Sequence, residues 1–193
     1  MDFGVLKQQA KNKLKDNSGT VVIATLILLL LLVFSTATGL GIIFYGAIYL
    51  GGAIFFLNLC RYNHADIEDL FKGFNDFGNA FLLELVRTLI IILWLLVFII
   101  PGIIKMFSWS LAYYIQKDNP DWNYKKVLDT SSQWMKGHKW ELFLLELSFI
   151  GWILLSIITL GFALIYVVPY ITATRAEYYE YIKSLNESVE VDK

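Results

Sequence analysis

Residues 140–170 read WELFLLELSFIGWILLSIITLGFALIYVVPY. Two apolar runs meet at an uncharged joint, Thr159-Leu160-Gly161. At a helical rise of about 1.5 Å per residue, a run of nineteen residues covers a hydrocarbon core of about 30 Å. One carboxylate, Glu146, lies well inside the first run, and a Pro169-Tyr170 step interrupts the second. The pattern predicts a membrane-spanning helical hairpin that has a polar group to hide.

The rest of the composition agrees with a membrane setting. Of 193 residues, 57% are hydrophobic and 17% charged, with a mean hydropathy of +0.57. A soluble domain carries about 45–50% apolar and about 25% charged residues. The surplus exceeds what a core of this size can hide and suits a polytopic membrane protein. A net charge of −1 gives no electrostatic case for nucleic acid. A single cysteine, Cys60, allows neither an internal disulfide nor a cysteine metal site. The first apolar run follows a polar segment and lacks a small-residue cleavage site, so it does not read as a signal peptide.

Outward from the hairpin, the hydropathy predicts spans near 20–38, 42–60, 80–100, 103–116, 140–158 and 162–182. The fourth is short, reaching about 20 Å as a helix. Pro101-Gly102 and Pro169 are the expected helix-breaking positions. A Gly39-Leu40-Gly41 break separates the first two spans. Gly46 and Gly51 in the second favour close helix packing, although their spacing is not that of the GxxxG motif.

Three polar stretches flank the spans. In residues 1–18, Phe3, Leu6, Ala10 and Leu14 share one helical face among lysines, which predicts an amphipathic helix lying on an anionic leaflet. Residues 61–79 predict an interfacial helix capped by Asp66, and residues 117–139 a second one, capped by Asn123 and ended by Gly137. The fold class expected is all-α: a polytopic transmembrane helix bundle, six spans as three hairpins, with short amphipathic interfacial helices. Residues 1–185 form one domain and 186–193 a polar tail. Lys and Arg concentrate in the N-terminal arm, 61–72, 117–139 and 175–193, so both termini are expected in the cytoplasm.

Four ionisable groups fall within the spans: Glu84 and Arg87, three residues apart, then Glu146 and Arg175. A charge at the centre of a spanning helix costs about 2.5–3.5 kcal/mol, so such groups pair or line water. They are expected to form an intramembrane polar network at the inner mouth of the bundle. Catalytic patterns are absent. Ser131, Ser132 and His138 make no nucleophile elbow, and neither His64 nor His138 has a partner at zinc spacing. No metal, no cofactor and no enzymatic activity are expected.

The chain also resembles a bacterial family of integral membrane proteins, that of domain of unknown function 975. The residues that carry the likeness are Leu6-Lys7 with Ala10, Phe71-Lys72-Gly73-Phe74, Pro101-Gly102-Ile103-Ile104 and Asp118-Asn119-Pro120. Met135-Lys136-Gly137-His138-Lys139, Leu147-Ser148-Phe149-Ile150-Gly151-Trp152, Thr159-Leu160-Gly161 and Pro169-Tyr170 complete the set. A looser likeness is to the membrane domain of some glycerophosphodiester phosphodiesterases, whose catalytic domain this chain does not carry. The resemblance implies a multi-pass protein of the bacterial plasma membrane and supplies no catalytic residue. The leading functional expectation is a non-enzymatic envelope scaffold or accessory subunit, with membrane lipids and a protein partner or second copy as its neighbours. The alternative is a small transporter or lipid-handling protein with the Glu/Arg cluster as its site.

Overall fold

A computed structural model of the chain describes residues 3–37, 41–97 and 99–191, and every regular element among them is helical. In order these are α1 (Phe3–Asp16), α2 (Ser18–Ala37), α3 (Gly41–Tyr62), a 3-10 segment (Ile67–Phe74), α4 (Phe77–Val97) and α5 (Ile99–Ser108). There follow α6 (Ala112–Asp118), α7 (Tyr124–Trp134), α8 (Lys139–Leu147), α9 (Ile150–Ile158) and α10 (Leu164–Val191). The expected break at Gly39-Leu40 falls outside the described residues.

The bundle is built around α3. Of its spanning stretch Ile43–Tyr62, 72% is buried, against 11% for Phe77–Leu95 of α4. Phe55, Phe56, Leu57 and Leu59 are fully enclosed. The enclosure depends on missing side chains. A Cβ on Gly46 would run into the Ala80 carbonyl, one on Gly51 into the Leu70 carbonyl, and one on Gly73 into the Ala47 carbonyl. The backbones of α3, the 3-10 segment and α4 therefore touch directly, as small residues permit between membrane helices.

Among the described residues four stretches, not six, are long and apolar enough to cross a membrane: Ser18–Ala37, Ile43–Tyr62, Phe77–Leu95 and Lys139–Ile158. The last consists of α8 and α9, joined through Ser148 and Phe149. The stretch expected at 103–116 is not among these four, since its helix opens at Trp109–Leu111. There the Ser108 carbonyl accepts the Ser131 hydroxyl at 2.8 Å, and the Ala112 amide donates to Trp109 instead. The stretch expected at 162–182 is not among them either, since Arg175, Glu177 and Glu180 all fall within the first eighteen residues of α10.

The helix-breaking positions also behave differently from expectation. α4 ends at Val97 and α5 begins at Ile99, and residue 98 between them lies outside the described residues. Pro101 is the third residue of α5, where a backbone N–H needs no intrahelical acceptor. Gly102 lets α5 lie against α4, since a Cβ there would meet the Leu95 side chain at 2.7 Å. Pro169 does not break α10, which continues through it to Val191, so most of the expected polar tail is helical.

The amphipathic stretches turn their apolar faces to protein. Leu6, Ala10 and Leu14 of α1 are buried, with α1 packed along α10, so this helix is not the leaflet-surface anchor expected. Residues 67–74 form a 3-10 segment docked on α3, with Leu70 buried and Phe74 against Phe44. On α7, Asn123 caps by accepting from the Lys126 amide at 2.9 Å, and Val127, Leu128 and Ser131 are buried. Gly137 then closes the chain with φ +85°.

The hairpin of α9 and α10 has the joint its sequence predicts. Leu160 and Gly161 adopt positive φ, at 51° and 92°. The Gly161 amide reaches back to the Ser156 carbonyl at 2.8 Å and the Leu160 amide to Ile157 at 3.1 Å, the arrangement that ends a helix through a left-handed residue. The Thr159 hydroxyl accepts from the Ala163 amide at 3.1 Å. Leu160 and Phe162 at this tip are 91% and 79% exposed, yet each amide from Thr159 to Leu164 has an acceptor within the hairpin. Backbone satisfied in this way tolerates hydrocarbon.

Candidate functional site: a polar-lined cavity and a charged clamp

Glu84, Arg87, Glu146 and Arg175 line one cavity of about 560 Å³ in the middle of the bundle. Its apolar wall includes Leu28, Leu32, Ile48, Met106, Phe107 and Val168, contributed by α2, α3, α5 and α10. A volume of this size, mostly apolar with a few convergent polar groups, is typical of a small-ligand site.

The four charges form two pairs rather than one connected network. Glu84 on α4 is the more enclosed. Its Oε1 accepts from the Thr88 hydroxyl at 2.8 Å. Its Oε2 accepts from the Tyr113 hydroxyl, in a short contact, and from Arg87 Nη1 at 3.3 Å. The Arg87 guanidinium lies 5.6 Å from the centre of the Tyr113 ring. The second pair joins α8 to α10: Arg175 Nε donates to Glu146 Oε1 at 2.5 Å. Glu146 thus takes its cation from Arg175, twenty-nine residues on, and not from Arg87.

The pairs differ in how fully they are satisfied. Both oxygens of Glu84 are engaged. Among the described residues Arg87, with five N–H donors, makes only the one long bond to Glu84, and its buried Nε has no partner there. Arg175 makes no further hydrogen bond to a described residue beyond Glu146, and its side chain, which lines the cavity, is half exposed.

Pro101, Gly102 and Pro169 are absent from the lining of this cavity. Tyr113, Thr88 and Tyr49 are the residues that sequence reasoning missed here. Thr88 was the accessible one, four residues after Glu84 and so on the same helix face.

A second cluster closes the charged end of the bundle. Arg61, at the end of α3, grips Asp118 with both terminal nitrogens, at 2.7 and 2.6 Å, and holds Glu180 through Nε at 2.8 Å. Asp118 also accepts from the Tyr179 hydroxyl and from Lys183 Nζ, each at 2.8 Å. Burial would raise the Asp118 carboxyl, but the hydrogen bonds from Arg61, Lys183 and Tyr179 outweigh it and hold the group well below the usual carboxylate range. Beside this clamp, Lys13 bridges α1 to Glu177 of α10 at 2.5 Å and also meets the Cys60 carbonyl. On the 3-10 segment, burial likewise opposes ionisation of Asp69. Hydrogen bonds from Lys72, Asn58 and the Asp66 amide override it and lower its pKa. In the sequence Asp118 belongs to a turn cluster; its part in joining α3, α6 and α10 comes from residues fifty-seven and more positions away.

Comparison with known proteins adds a family and no activity. No curated protein and no solved structure matches the chain. The family model described as "Protein of unknown function (DUF975)" matches residues 95–186. The matched segment runs from the end of α4 through most of α10. It takes in Asp118, the Glu146–Arg175 pair and the Thr159-Leu160-Gly161 joint, and leaves out Glu84, Arg87 and Arg61. The likeness at Leu6-Lys7 and at residues 71–74 therefore lies outside it. Over residues 95–186, just under half of the chain, it is similar to the DUF975 family of proteins of unknown function.

Proposed function

We propose that this is an integral membrane protein that binds a membrane amphiphile in its central cavity, as a lipid-handling protein or a small transporter. The observation that carries this reading is the cavity of about 560 Å³ that joins an apolar wall to two carboxylate–arginine pairs. A scaffold acting only through its surface has no use for such a space, and two ion pairs held at membrane depth beside a void are costly to keep. The charged end, with the clamp and most of the lysines, is the cytoplasmic one, and both termini lie there. The uncharged tip at Leu160 points to the opposite leaflet, in the plasma membrane of a bacterium.

The experiment is to measure lipid co-extracted with the full-length protein in mild detergent, by mass spectrometry, per mole of protein. The comparison is Ala53→Phe, which adds bulk at a small cavity-lining residue. The wild type is expected to retain lipid in stable proportion and the filled variant to retain at most a third as much. Equal retention by both proteins would sink the reading.

A further inference from the structure

Resting on this reading, the geometry points to the ligand's headgroup: a phosphate oxyanion carried by an anionic lipid, received by Arg87 and Arg175. The four cavity charges cancel, so net charge does not select the ligand. Hydrogen-bond capacity does. A carboxylate accepts and cannot donate, while a guanidinium donates and cannot accept. On the acceptor side, both oxygens of Glu84 are engaged by Thr88, Tyr113 and Arg87, and Glu146 has one oxygen on Arg175. On the donor side, Arg87 leaves a buried Nε without a partner and makes one bond at 3.3 Å. Arg175 places its Nε on Glu146, and its terminal nitrogens make no hydrogen bond to a described residue. The cavity therefore has donors in surplus, and an acceptor-rich ligand relieves the surplus.

An unpartnered buried donor costs about 1–3 kcal/mol, and more when charged, so Arg87 is poised to gain from such a ligand. The two terminal nitrogens of a guanidinium match two oxygens of one phosphate. Tyr113 stacks near the Arg87 guanidinium and limits its swing. The Leu28, Leu32, Met106 and Phe107 side chains then provide the surface for part of an acyl chain, which a free phosphate ion does not use.

The test is native mass spectrometry of the full-length protein released from detergent, with four probes. These are phosphatidic acid, diacylglycerol with the same acyl chains, inorganic phosphate, and phosphatidic acid with excess phosphate as competitor. Phosphatidic acid is expected to be retained at least tenfold better than diacylglycerol, and millimolar phosphate not to displace it. Arg87→Gln is expected to bring phosphatidic acid down to the diacylglycerol level, and Arg87→Lys to recover only part, since it keeps the charge without the fork. Arg175→Gln, on another helix, tests the same assignment should Arg87→Gln fail to fold. Diacylglycerol retained as well as phosphatidic acid, with both glutamine variants unchanged, overturns the headgroup assignment and leaves the amphiphile reading standing. Phosphate that displaces the lipid overturns the lipid source. If no lipid is retained and Ala53→Phe equals the wild type, the reading beneath it fails as well.

Discussion

Arg61 and Asp118 lie fifty-seven residues apart in the chain and meet side by side, with two parallel bonds of 2.7 and 2.6 Å. The pair ties the end of the central helix to the end of α6, and Tyr179 and Lys183 of α10 complete the joint from the third side. Asp118→Asn removes the carboxylate that Arg61 grips with both terminal nitrogens and leaves Glu180 as its charged partner. The pair is part-buried, so the loss lies between the about 0–1 kcal/mol of an exposed pair and the about 3–5 kcal/mol of a fully buried one. Thermal unfolding in detergent, followed by tryptophan fluorescence, is expected to show the loss, and an unchanged midpoint would reduce the clamp to a surface contact.

The same carboxylate sets an acid limb. Its pKa in the folded protein lies below the unfolded value of about 3.9. A depressed pKa means that the unfolded chain binds the proton more readily, so the stabilisation is complete above about pH 4 to 5. It is lost as the pH falls through the unfolded value toward the native one. Stability of the wild type should therefore drop steeply below about pH 4. Asp118→Asn should be less stable at neutral pH and show a shallower acid limb. Parallel acid limbs in the two proteins would assign the pH dependence elsewhere.

Glycine positions separate packing from propensity. Gly51→Ala forces the added methyl into the Leu70 carbonyl and must part α3 from the 3-10 segment. Overpacking of this kind costs about 1–3 kcal/mol, occasionally more. Gly19→Ala in α2 meets nothing within 4 Å and should be neutral or stabilising by about 0.5–1 kcal/mol, as alanine is the better helix former. Comparing the two midpoints cancels the shared gain in helix propensity. Equal midpoints would show that α3 can be moved off its neighbours at no cost.

Cysteine labelling tests depth. The native Cys60 is buried between α3 and α10, with its thiol near the Ala173 carbonyl, and should not react with a membrane-impermeant maleimide before unfolding. That leaves a clean background. Leu160→Cys at the exposed hairpin tip should resist the reagent in vesicles but react in detergent with a small apolar maleimide, while Lys136→Cys should label from the charged side alone. Rapid labelling of Leu160→Cys from the cytoplasmic side would reverse the orientation.

Glu146→Gln weakens the hold on Arg175 and frees its Nε. If the arginines receive the headgroup, this variant should bind phosphatidic acid about threefold or more tightly, a shift of about 0.7 kcal/mol, whereas Arg175→Gln should weaken it. Native mass spectrometry at fixed lipid concentration reads both. The same direction of change in the two variants would mean that the pair matters as a strut and not as a receptor.

Local sequence signals predicted the elements they control. The Thr159-Leu160-Gly161 joint, the Asn123 cap and the Gly137 stop follow from a few adjacent residues, and each stands where those residues put it. Amphipathic periodicity was weaker evidence. It marked Leu6, Ala10 and Leu14 as one apolar face, but a face has no label saying whether lipid or protein covers it, and here α10 does. Hydropathy likewise could not see that Ser131 would draw the Ser108 carbonyl out of its helix and so cut the stretch at 103–116. The Glu146–Arg175 pair could be foreseen as a need for a counter-charge. The surplus of donors around Arg87 could not, because it depends on Tyr113 and Thr88 together satisfying Glu84.

The hairpin tip has a consequence for how the chain reaches its place. Each amide from Thr159 to Leu164 is answered from within the turn, and the outermost side chains there are a leucine and a phenylalanine. Nothing at the leading end asks for water. During biogenesis, α9 and the start of α10 can thus slide into the bilayer together as a finished wedge, with no polar loop to be ferried across.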